Sequence, residues 1–385
     1  MKILTIDVGT GTQDIFLYDS RLDLENGFKL VVPSPTMIVH RRLKEATRRG
    51  EAVLLRGVIM GGGPSAWAAE DHVRAGLPIY ATPDAARSFN DDLEAVAEMG
   101  IQVVSEDEAR RLPDSVQRLE LADFDLPSIV RALGQFDVPL DDLAAVAVAV
   151  FDHGNAPPDI SDRQFRFDYL DERIRSENRL SAFAFRAEEV PPIMTRLQAV
   201  VKSARRLGSD LLQDADLVVM DTAPAAVLGA TFDPLVAARP RRLVANVGNF
   251  HTLAFRLGPV GIEGVFEHHT GLLDLPKLEN LLRSLADGSL THADVFGDNG
   301  HGALIYDQHP LPLGSGGLVV TGPRRNLLRG SSLNPYFAVP FGDMMIAGCF
   351  GLLAATGEVL PELRQEIQAS LRGAGGSGTP PWEAL

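Results

Sequence analysis

Residues 1–19, MKILTIDVGTGTQDIFLYD, decide the fold of this chain. Lys2 to Ile6 are mostly apolar and predict a short strand that ends at Asp7, and Gln13 to Asp19 alternate as in a second strand. Between them, Val8 to Thr12 supply a tight turn of small residues. A carboxylate at a strand tip, followed by such a turn and a returning strand, is one way to hold a nucleotide.

The residue types in the turn suit a polyphosphate. Gly9 and Gly11 let the main chain come close to it, and the turn's N–H groups, with the hydroxyls of Thr10 and Thr12, can donate to phosphate oxygens. Each such charge-assisted bond contributes about 1.5–3 kcal/mol. Asp7 would repel bare phosphate, so we expect it to bind a hydrated Mg²⁺ that bridges to the phosphates.

The alternative is an ordinary β-hairpin whose glycines only satisfy the geometry of the turn. The turn is not a Walker loop, because no Gly-Lys-Ser/Thr sequence follows it. It is not a Rossmann fingerprint either, because the GxGxxG spacing is absent and the next element is a strand.

Composition predicts a globular chain with a large core. Its 385 residues have room for two α/β domains, and 45% of them are hydrophobic and 23% charged. The net charge of −15 argues against a nucleic-acid partner, since neutralising phosphates needs clustered Lys and Arg. The sequence begins in a strand and its apolar runs are too short to span a bilayer, so we expect a cytoplasmic protein without a membrane partner.

Cysteine usage excludes several kinds of site. The chain contains one cysteine, Cys349, within an apolar run. A disulfide framework, a thiolate zinc site and a cysteine-ligated iron–sulfur cluster therefore cannot form within this chain.

A second stretch nearly copies the opening one. Arg241 to Ala245 and Thr252 to Leu257 predict two strands, and Asn246 to His251 join them. A nucleotide held between two related domains needs one phosphate-binding turn from each. We expect the turns at 7–12 and 246–252 to face each other.

The chain at this point resembles the superfamily of acetate and sugar kinases, heat-shock ATPases and actin. Five motifs occur in the superfamily's order and cover roughly half of the chain. They are the first phosphate motif at 7–12, a first connecting helix at 220–230, a second phosphate motif at 246–252, an adenosine motif at 319–323 and a second connecting helix at 342–355.

The resemblance implies an α/β fold in which two ribonuclease-H-like (actin-like ATPase) domains flank a nucleotide cleft. We expect an N-terminal domain over residues 1–215, with an inserted region at about 80–190, and a C-terminal domain over 216–370. Residues 371–385 are expected to form a disordered tail. The polar stretch 155–189 is interpreted as an excursion, with a lid as one role for it.

Residue by residue, the resemblance implies a site for ATP and Mg²⁺. Asp7 would anchor the hydrated metal, and Asp221 would orient water or metal. Further contacts would come from Gly9, Thr10, Gly11 and Thr12 on one side and from Asn246, Gly248, Asn249, Thr252 and Gly322 on the other. The implied activity is that of an ATPase or a phosphotransferase whose domains close on the nucleotide.

The second phosphate motif departs from the superfamily's pattern. Asn246 stands where an acid is usual, and Asn249 and Phe250 replace glycines. Asparagine can accept a bond from a metal-bound water but brings no charge. A non-catalytic nucleotide-sensing or enzyme-activating factor is therefore a second hypothesis.

A narrower resemblance rests on DVGTGTQDIFLYD, on MGGGP at 60–64 and on the NVGN turn at 246–249. Together they resemble an uncharacterised prokaryotic family, some members of which are labelled "putative pyruvate formate-lyase activating enzyme". That label does not transfer as chemistry. Such activases are radical enzymes that hold a cluster with three cysteines, and this chain has one.

Two further groups of residues are candidates for chemistry. Asp152 and His153 follow an apolar strand, so one of them can be a general base for a substrate hydroxyl, or both can simply cap the strand end. Six of the nine histidines lie in the second half of the chain. A metal held by Glu267 and His269, with His251 or His301 as a third ligand, would make the protein a metal-dependent hydrolase instead.

The sequence leaves the second substrate open. ATP is the expected small-molecule partner, and the acceptor is either an unknown small molecule or a protein client. No feature of the sequence names it.

Overall fold

The computed structural model describes residues 1–140, 142–207, 212, 215–314, 316–373 and 381–384. The strands in this part of the chain are β1 Lys2–Val8, β2 Thr12–Asp19, β3 Phe28–Pro33, β4 Val53–Gly57, β5 Ile79–Ala81, β6 Gln102–Val103, β7 Gln117–Leu121, β8 Leu143–Val150, β9 Ala184–Arg186, β10 Asp216–Asp221, β11 Arg242–Val247, β12 His251–Gly258, β13 Gly261–His269, β14 Gly302–Ile305, β15 Leu318–Thr321 and β16 Tyr336–Phe337.

The α-helices of the same residues are α1 Pro35–Arg49, α2 Pro64–Arg74, α3 Pro83–Ala86, α4 Leu93–Glu98, α5 Glu106–Arg111, α6 Leu126–Gly134, α7 Asp162–Ser176, α8 Thr195–Leu207, α9 Thr222–Ala230, α10 Pro234–Ala237, α11 Leu275–Asp287, α12 His292–Phe296, α13 Ala347–Val359, α14 Arg364–Leu371 and α15 Pro381–Ala384. Short 3₁₀ turns lie at Leu24–Asn26, Leu180–Phe183, Thr270–Leu272, Arg325–Leu328 and Pro340–Gly342. None of the described helices combines the length and apolarity needed to cross a membrane.

The first six-stranded sheet is built around the opening hairpin. Its strand order is β3-β2-β1-β8-β10-β9. Strands β1 to β3 form an antiparallel meander, β8 pairs parallel to β1, and β10 pairs parallel to β8. The central strands are covered on both faces, since β1 and nearly all of β8 are buried.

The second six-stranded sheet repeats the meander and the two parallel strands of the first with strands from the other half of the chain, and it has β14 beside the meander where the first sheet has the antiparallel edge strand β9 at its other end. Its order is β14-β13-β12-β11-β15-β16. Here β11 to β13 form the antiparallel meander, and β15 pairs parallel to β11 and β16 parallel to β15. The repetition confirms the prediction of an α/β fold with two ribonuclease-H-like domains of the actin-like ATPase type.

A smaller sheet is inserted between β3 and β8. Its strands β6-β5-β4-β7 are all parallel, and with α1 and α2 they enclose a separate apolar core. The glycines Gly61, Gly62 and Gly63 lead from this sheet into α2. A Cβ built on Gly63 would lie 3.7 Å from Thr10 and 3.9 Å from Phe250, so the inserted unit reaches both predicted phosphate turns.

Helices α9 and α13 cross at glycines. A Cβ built on Gly229 would lie 1.7 Å from the carbonyl oxygen of Ala347, and one on Gly351 would lie 1.9 Å from that of Ala225. Only glycine permits such an approach of two helix backbones. The crossing joins α9, which follows β10 of the first sheet, to α13, which packs on a face of that sheet.

Four parts of the chain bear on the organisation expected from the sequence. The stretch 155–189 contains the fifteen-residue helix α7, whose inner side is buried. The strand Asp216–Asp221 belongs to the first sheet, while the division at 215/216 stays a prediction. A further helix, α14, follows the predicted last helix. Of the predicted disordered tail, residues 374–380 and 385 lie outside the described residues.

Candidate functional site

A cavity lies between the two hairpin turns, where the two sheets come together. The starts of α9 and α13 form its remaining walls. It encloses about 830 Å³ of space, part of it open to solvent. The predicted site residues that line it are Asp7, Gly9, Thr10, Thr12, Asn246, Gly248, Asn249 and Gly322.

The two turns have the same hydrogen bonding. In the first, the Gly9 N–H donates to the carbonyl of Thr12 over 2.9 Å. In the second, the Gly248 N–H donates to the carbonyl of His251 over 3.0 Å. Each turn follows the first strand of its sheet, so they occupy equivalent places in the two repeats.

The turns also touch across the cavity. A Cβ built on Gly11 would lie 2.6 Å from Asn249 Nδ2, so a side chain at position 11 would displace the side chain of Asn249 on the facing turn. Gly322 has φ +96° and approaches Asn246 in the same way, with a built Cβ 2.5 Å from Asn246 Oδ1. Gly322 is therefore required by close approach as well as by its backbone conformation.

Two carboxylates lie side by side at the closed end of the cavity. The register of β1 and β2 places Asp7 directly opposite Asp14, and both are buried. The Thr222 hydroxyl donates to Asp7 Oδ1, whereas Asp14 Oδ1 has no hydrogen-bond partner among the described residues. Sequence reasoning missed Asp14. The predicted turn at Val8 to Thr12 did not fix this pairing, because the register depends on the hydrogen bond from Gly9 to Thr12.

Both of these carboxyl groups are hard to ionise. The pKa of Asp7 is raised to about 7, because burial outweighs the opposing hydrogen bond from Thr222 and the charge of Asp221 adds to the effect of burial. Burial and the neighbouring Asp7 raise the pKa of Asp14 to about 8. A cation placed between them would reverse this effect, because it favours the charged form of both.

The carboxylate of Asp221 is bonded within the chain. It accepts the N–H of Ala223 over 3.0 Å, which caps α9, and the Nη1 group of Arg166 over 2.5 Å. Arg166 also donates from Nε to Glu267 Oε2 over 2.8 Å. This buried guanidinium therefore links the first sheet to the second. Sequence reasoning did not single it out, because it lies in the stretch 155–189.

Asp152 holds the start of a helix. Its Oδ1 accepts the N–H of Gly154, and its Oδ2 accepts the N–H groups of Arg196 and Leu197 at the first turn of α8. Burial raises the pKa of Asp152. Asp152 therefore caps the start of α8, and its role as a general base stays a prediction.

A second cavity adjoins the first and measures about 890 Å³ when the space open to solvent at its mouth is included. It lies beside the glycines of the inserted unit, and Asp152 and His153 line it. Both cavities share Gly9, Thr10 and His251. A second molecule bound there would therefore meet a nucleotide at the phosphate turns.

Three histidines converge at the junction of the two cavities. His153, His251 and His301, which we call the histidine cluster, each offer a nitrogen within 4.8 Å of the other two. Nε2 of His153 lies 3.3 Å from Nε2 of His301. This set differs from the expected Glu267–His269 pair, because His153 comes from the end of β8 in the other half of the chain.

Glu267 lies behind the histidine cluster. Its Oε1 accepts Nδ1–H of His251 over 2.8 Å and lies 3.6 Å from Nε2 of His301. Although burial opposes its ionisation, Arg166 and the histidines hold its pKa well below the usual range. Burial lowers the pKa of His301 to about 3, and burial and the other two histidines hold that of His153 well below its ordinary value.

The remaining predicted residues do not line the first cavity. Thr252 is fully buried, and its hydroxyl lies 2.9 Å from that of Thr270. Asp221 lies behind Thr222, which does line it. Gly11 contributes through its contact with Asn249.

Comparison with known proteins identifies one family by sequence. The sequence profile described as "Putative pyruvate format-lyase activating enzyme (DUF1786)" matches residues 60–327, which is more than half of the chain. No curated protein matches the chain.

Among solved structures, the chain is similar to proteins of low sequence identity. The activator of the 2-hydroxyisocaproyl-CoA dehydratase from Clostridium difficile with bound ADPNP is 9% identical, covers 95% of this chain and 98% of its own, and has a TM-score of 0.34. The ethanolamine utilization protein EutJ from Carboxydothermus hydrogenoformans is 11% identical, covers 91% of this chain and 89% of its own, and has a TM-score of 0.30. The ROK hexokinase from Thermus thermophilus is 12% identical, covers 97% of this chain and 87% of its own, and has a TM-score of 0.23. Function must therefore be argued from this chain's own geometry.

Proposed function

The chain belongs to the family described as "Putative pyruvate format-lyase activating enzyme (DUF1786)", and for this member we propose the function of a Mg²⁺-dependent ATPase or phosphotransferase. ATP lies in the first cavity, with its phosphates between the two hairpin turns. The family description does not imply radical chemistry here, since the one cysteine, Cys349, is buried in α13.

One observation carries the proposal: two equivalent turns face each other across one cavity. Thr10 and Thr12 offer hydroxyls from one side, and the turn around Gly248 offers backbone N–H groups from the other. Donors that converge from two domains suit an extended polyanion such as a triphosphate. Domain closure then becomes coupled to the nucleotide, because each domain holds one side of it.

The residues present fit a Mg²⁺ ion. Asp7 and Asp14 provide two adjacent carboxylates, and Asp14 Oδ1 is buried without a partner among the described residues. Mg²⁺ prefers oxygen ligands and keeps part of its water shell, which the open side of the cavity allows. When bound, the ion would neutralise charge on the phosphates and on the two carboxylates.

The opposite wall suits the nucleoside. Gly322 and Pro323 border it next to Asn246, and Met344 and Met345 add apolar surface. A purine would pack against these side chains, while its phosphates point towards Thr10. We assign Gly322 to the adenosine on this basis.

The second cavity is the proposed place for a phosphate acceptor. It shares Gly9 and Thr10 with the first cavity, so an acceptor there would lie next to the end of the triphosphate. His153 is the predicted catalytic residue at this junction. Asp152 and Asp221 position its surroundings, through the start of α8 and through Arg166 respectively.

A second candidate is a nucleotide-sensing factor that activates a protein client. It is favoured by Asn246, which supplies no charge where a second acid would stand, and by the internal bonds of Asp152 and Asp221. A site without a free carboxylate base would bind ATP and turn it over slowly. The client would then respond to the closed state of the cleft.

The test is a calorimetric titration of ATP into the full chain, with and without Mg²⁺. Wild type, Asp7→Asn and the exposed control Asp107→Asn are compared, and phosphate release is measured on the same samples. We expect Mg²⁺-dependent binding by wild type and the control, and a loss of at least about tenfold in Asp7→Asn, since the ion would lose a charged ligand. Release of phosphate after binding would indicate an enzyme, and binding without release would indicate a nucleotide-sensing factor. Absence of ATP binding by wild type would contradict the proposal.

A further inference from the structure

The histidine cluster brings together side chains from three separate places in the fold. His153 follows β8 of the first sheet, His251 opens β12, and His301 precedes β14 of the second sheet. His301 is fully buried, and the other two are partly buried at the junction of the cavities. Such convergence from both sheets is not needed for the packing of either sheet alone.

We propose that His153, His251 and His301 bind a Zn²⁺ ion whose fourth coordination position faces the second cavity. Imidazole nitrogens suit zinc and similar borderline divalent cations, and three protein ligands with one open position are typical of a catalytic rather than a structural zinc site. This site is separate from the Asp7–Asp14 pair, whose oxygens suit Mg²⁺.

The separation of the nitrogens agrees with this assignment. Two nitrogens bound to one tetrahedral Zn²⁺ at about 2.0–2.1 Å lie about 3.3 Å apart. The Nε2 atoms of His153 and His301 are 3.3 Å apart, and all three ligand nitrogens lie within 4.8 Å of one another.

Glu267 orients one of the ligands. Nδ1 of His251 donates to its Oε1 over 2.8 Å, which fixes the tautomer and leaves Nε2 of His251 with a lone pair. A carboxylate behind a metal-binding histidine is a common arrangement, because it orients the ring and makes the other nitrogen more basic. Arg166 in turn holds Glu267 in place.

The charges around the cluster favour a cation. Asp221 and Glu267 contribute two negative charges and Arg166 one positive charge, so these three buried groups beside the histidine cluster have a net charge of −1. A dication therefore meets an excess of negative charge in a region of low dielectric. Its open position, next to His153 in the second cavity, would take a water or an oxygen atom of a substrate.

The alternative is a direct hydrogen bond between the rings of His153 and His301. Two Nε2 atoms can share one proton in such a bond, and Nδ1 of His301 has no partner among the described residues. This arrangement would leave no affinity for a metal beyond that of ordinary surface histidines. Metal titration therefore distinguishes it from the proposed site.

The experiment is a titration of ZnCl₂ into chelator-treated full-length protein, without nucleotide. Wild type is compared with His153→Gln, His301→Gln and the control His309→Gln, whose side chain is 90% exposed. Circular dichroism and thermal melting check that each variant folds. If the substitution of the buried His301 prevents folding, the comparison between wild type and His153→Gln tests the site. CoCl₂ is titrated in parallel, because tetrahedral Co²⁺ gives visible absorption that an octahedral ion lacks.

We expect one equivalent of Zn²⁺ to bind wild type and His309→Gln, with binding on the order of 100-fold weaker in His153→Gln. Unchanged binding in His153→Gln, or no stoichiometric binding by wild type, would overturn the proposal. Asp7→Asn should bind Zn²⁺ like wild type. The zinc result therefore stands or falls independently of ATP binding.

Discussion

Gly348 lies directly against the carboxylate of Asp7: a Cβ built on Gly348 would stand 1.7 Å from Asp7 Oδ2. The two residues are near opposite ends of the sequence, and Gly348 belongs to the first turn of α13. The helix therefore fixes the position of the carboxylate that we assign to Mg²⁺. Any side chain at position 348 would have to push Asp7 or the helix away.

Gly348→Ala should lower the affinity for ATP and Mg²⁺ by at least about tenfold, a loss of about 1.4 kcal/mol. Alanine favours a helix by about 1 kcal/mol over glycine, so propensity alone would stabilise the variant. The displaced Asp7 reverses this benefit. Calorimetric titration measures the effect, with Gly271→Ala as the control because a Cβ there meets nothing within 4 Å. Equal affinity in both variants would contradict the assigned role of Asp7.

Stability should fall as the pH rises through neutrality. The folded-state pKa of Asp7 is about 7, above its ordinary value of 3.8, so between these values the folded state binds more protons than the unfolded state. The free energy of unfolding then decreases with rising pH, and the loss is complete above about pH 7.

Asp7→Asn removes the contribution of Asp7 to this dependence, while Asp14, whose pKa burial raises to about 8, still contributes in the same direction. At pH 8 we expect it to be more stable than wild type by on the order of 2 kcal/mol, whereas at pH 4 the two should be similar. Urea unfolding at both pH values measures the difference, with Asp107→Asn as an exposed control. A variant less stable than wild type at pH 8 would contradict this prediction. It would show that bonds other than that of Thr222 stabilise the ionised Asp7 in the folded state.

Removal of Arg166 should be strongly destabilising. Arg166→Met leaves Asp221 and Glu267 as buried carboxylates without their cation, and loss of one partner from a buried ion pair costs about 3–5 kcal/mol. Urea unfolding at neutral pH gives the change. Arg110→Met, which removes an exposed ion pair with Asp107, should have little effect. Equal stability of the two variants would mean that Arg166 does not link the sheets.

Trp67 should report closure of the cleft. Its side chain is 53% exposed, and its ring centre lies 5.7 Å from that of Phe250 on the second phosphate turn. The chain has two tryptophans, so Trp382→Phe leaves Trp67 as the single probe. We expect ATP with Mg²⁺ to shift its emission to shorter wavelength as the contact becomes buried. The reverse variant, Trp67→Phe, should not respond. An unchanged spectrum at nucleotide saturation would exclude movement of the inserted unit.

The sequence was most informative where function needs a local pattern. Both hairpins were predicted from strand alternation on either side of small turn residues, and their shared hydrogen bonding follows from that pattern. The order of the five motifs was enough to predict the duplicated fold, although the second turn carries Asn249 and Phe250 in place of glycines.

The sequence was least informative where contacts join distant parts of the chain. Arg166 lies in a stretch without clear amphipathic spacing, yet it is the buried link between Asp221 and Glu267. Thr252 is the last residue of the second motif, but the inward side of β12 buries it. Neither outcome can be read from spacing, because both depend on how the two sheets pack.

The sequence by itself determined the two strand–turn–strand repeats, because alternation and glycine placement act over a few residues. Tertiary structure decided which polar groups meet. It paired Asp7 with Asp14 through strand register, placed Gly348 against Asp7 and gathered the histidine cluster from both sheets. The physical reason is that register and helix packing set long-range neighbours, and side-chain burial over the whole core selects them.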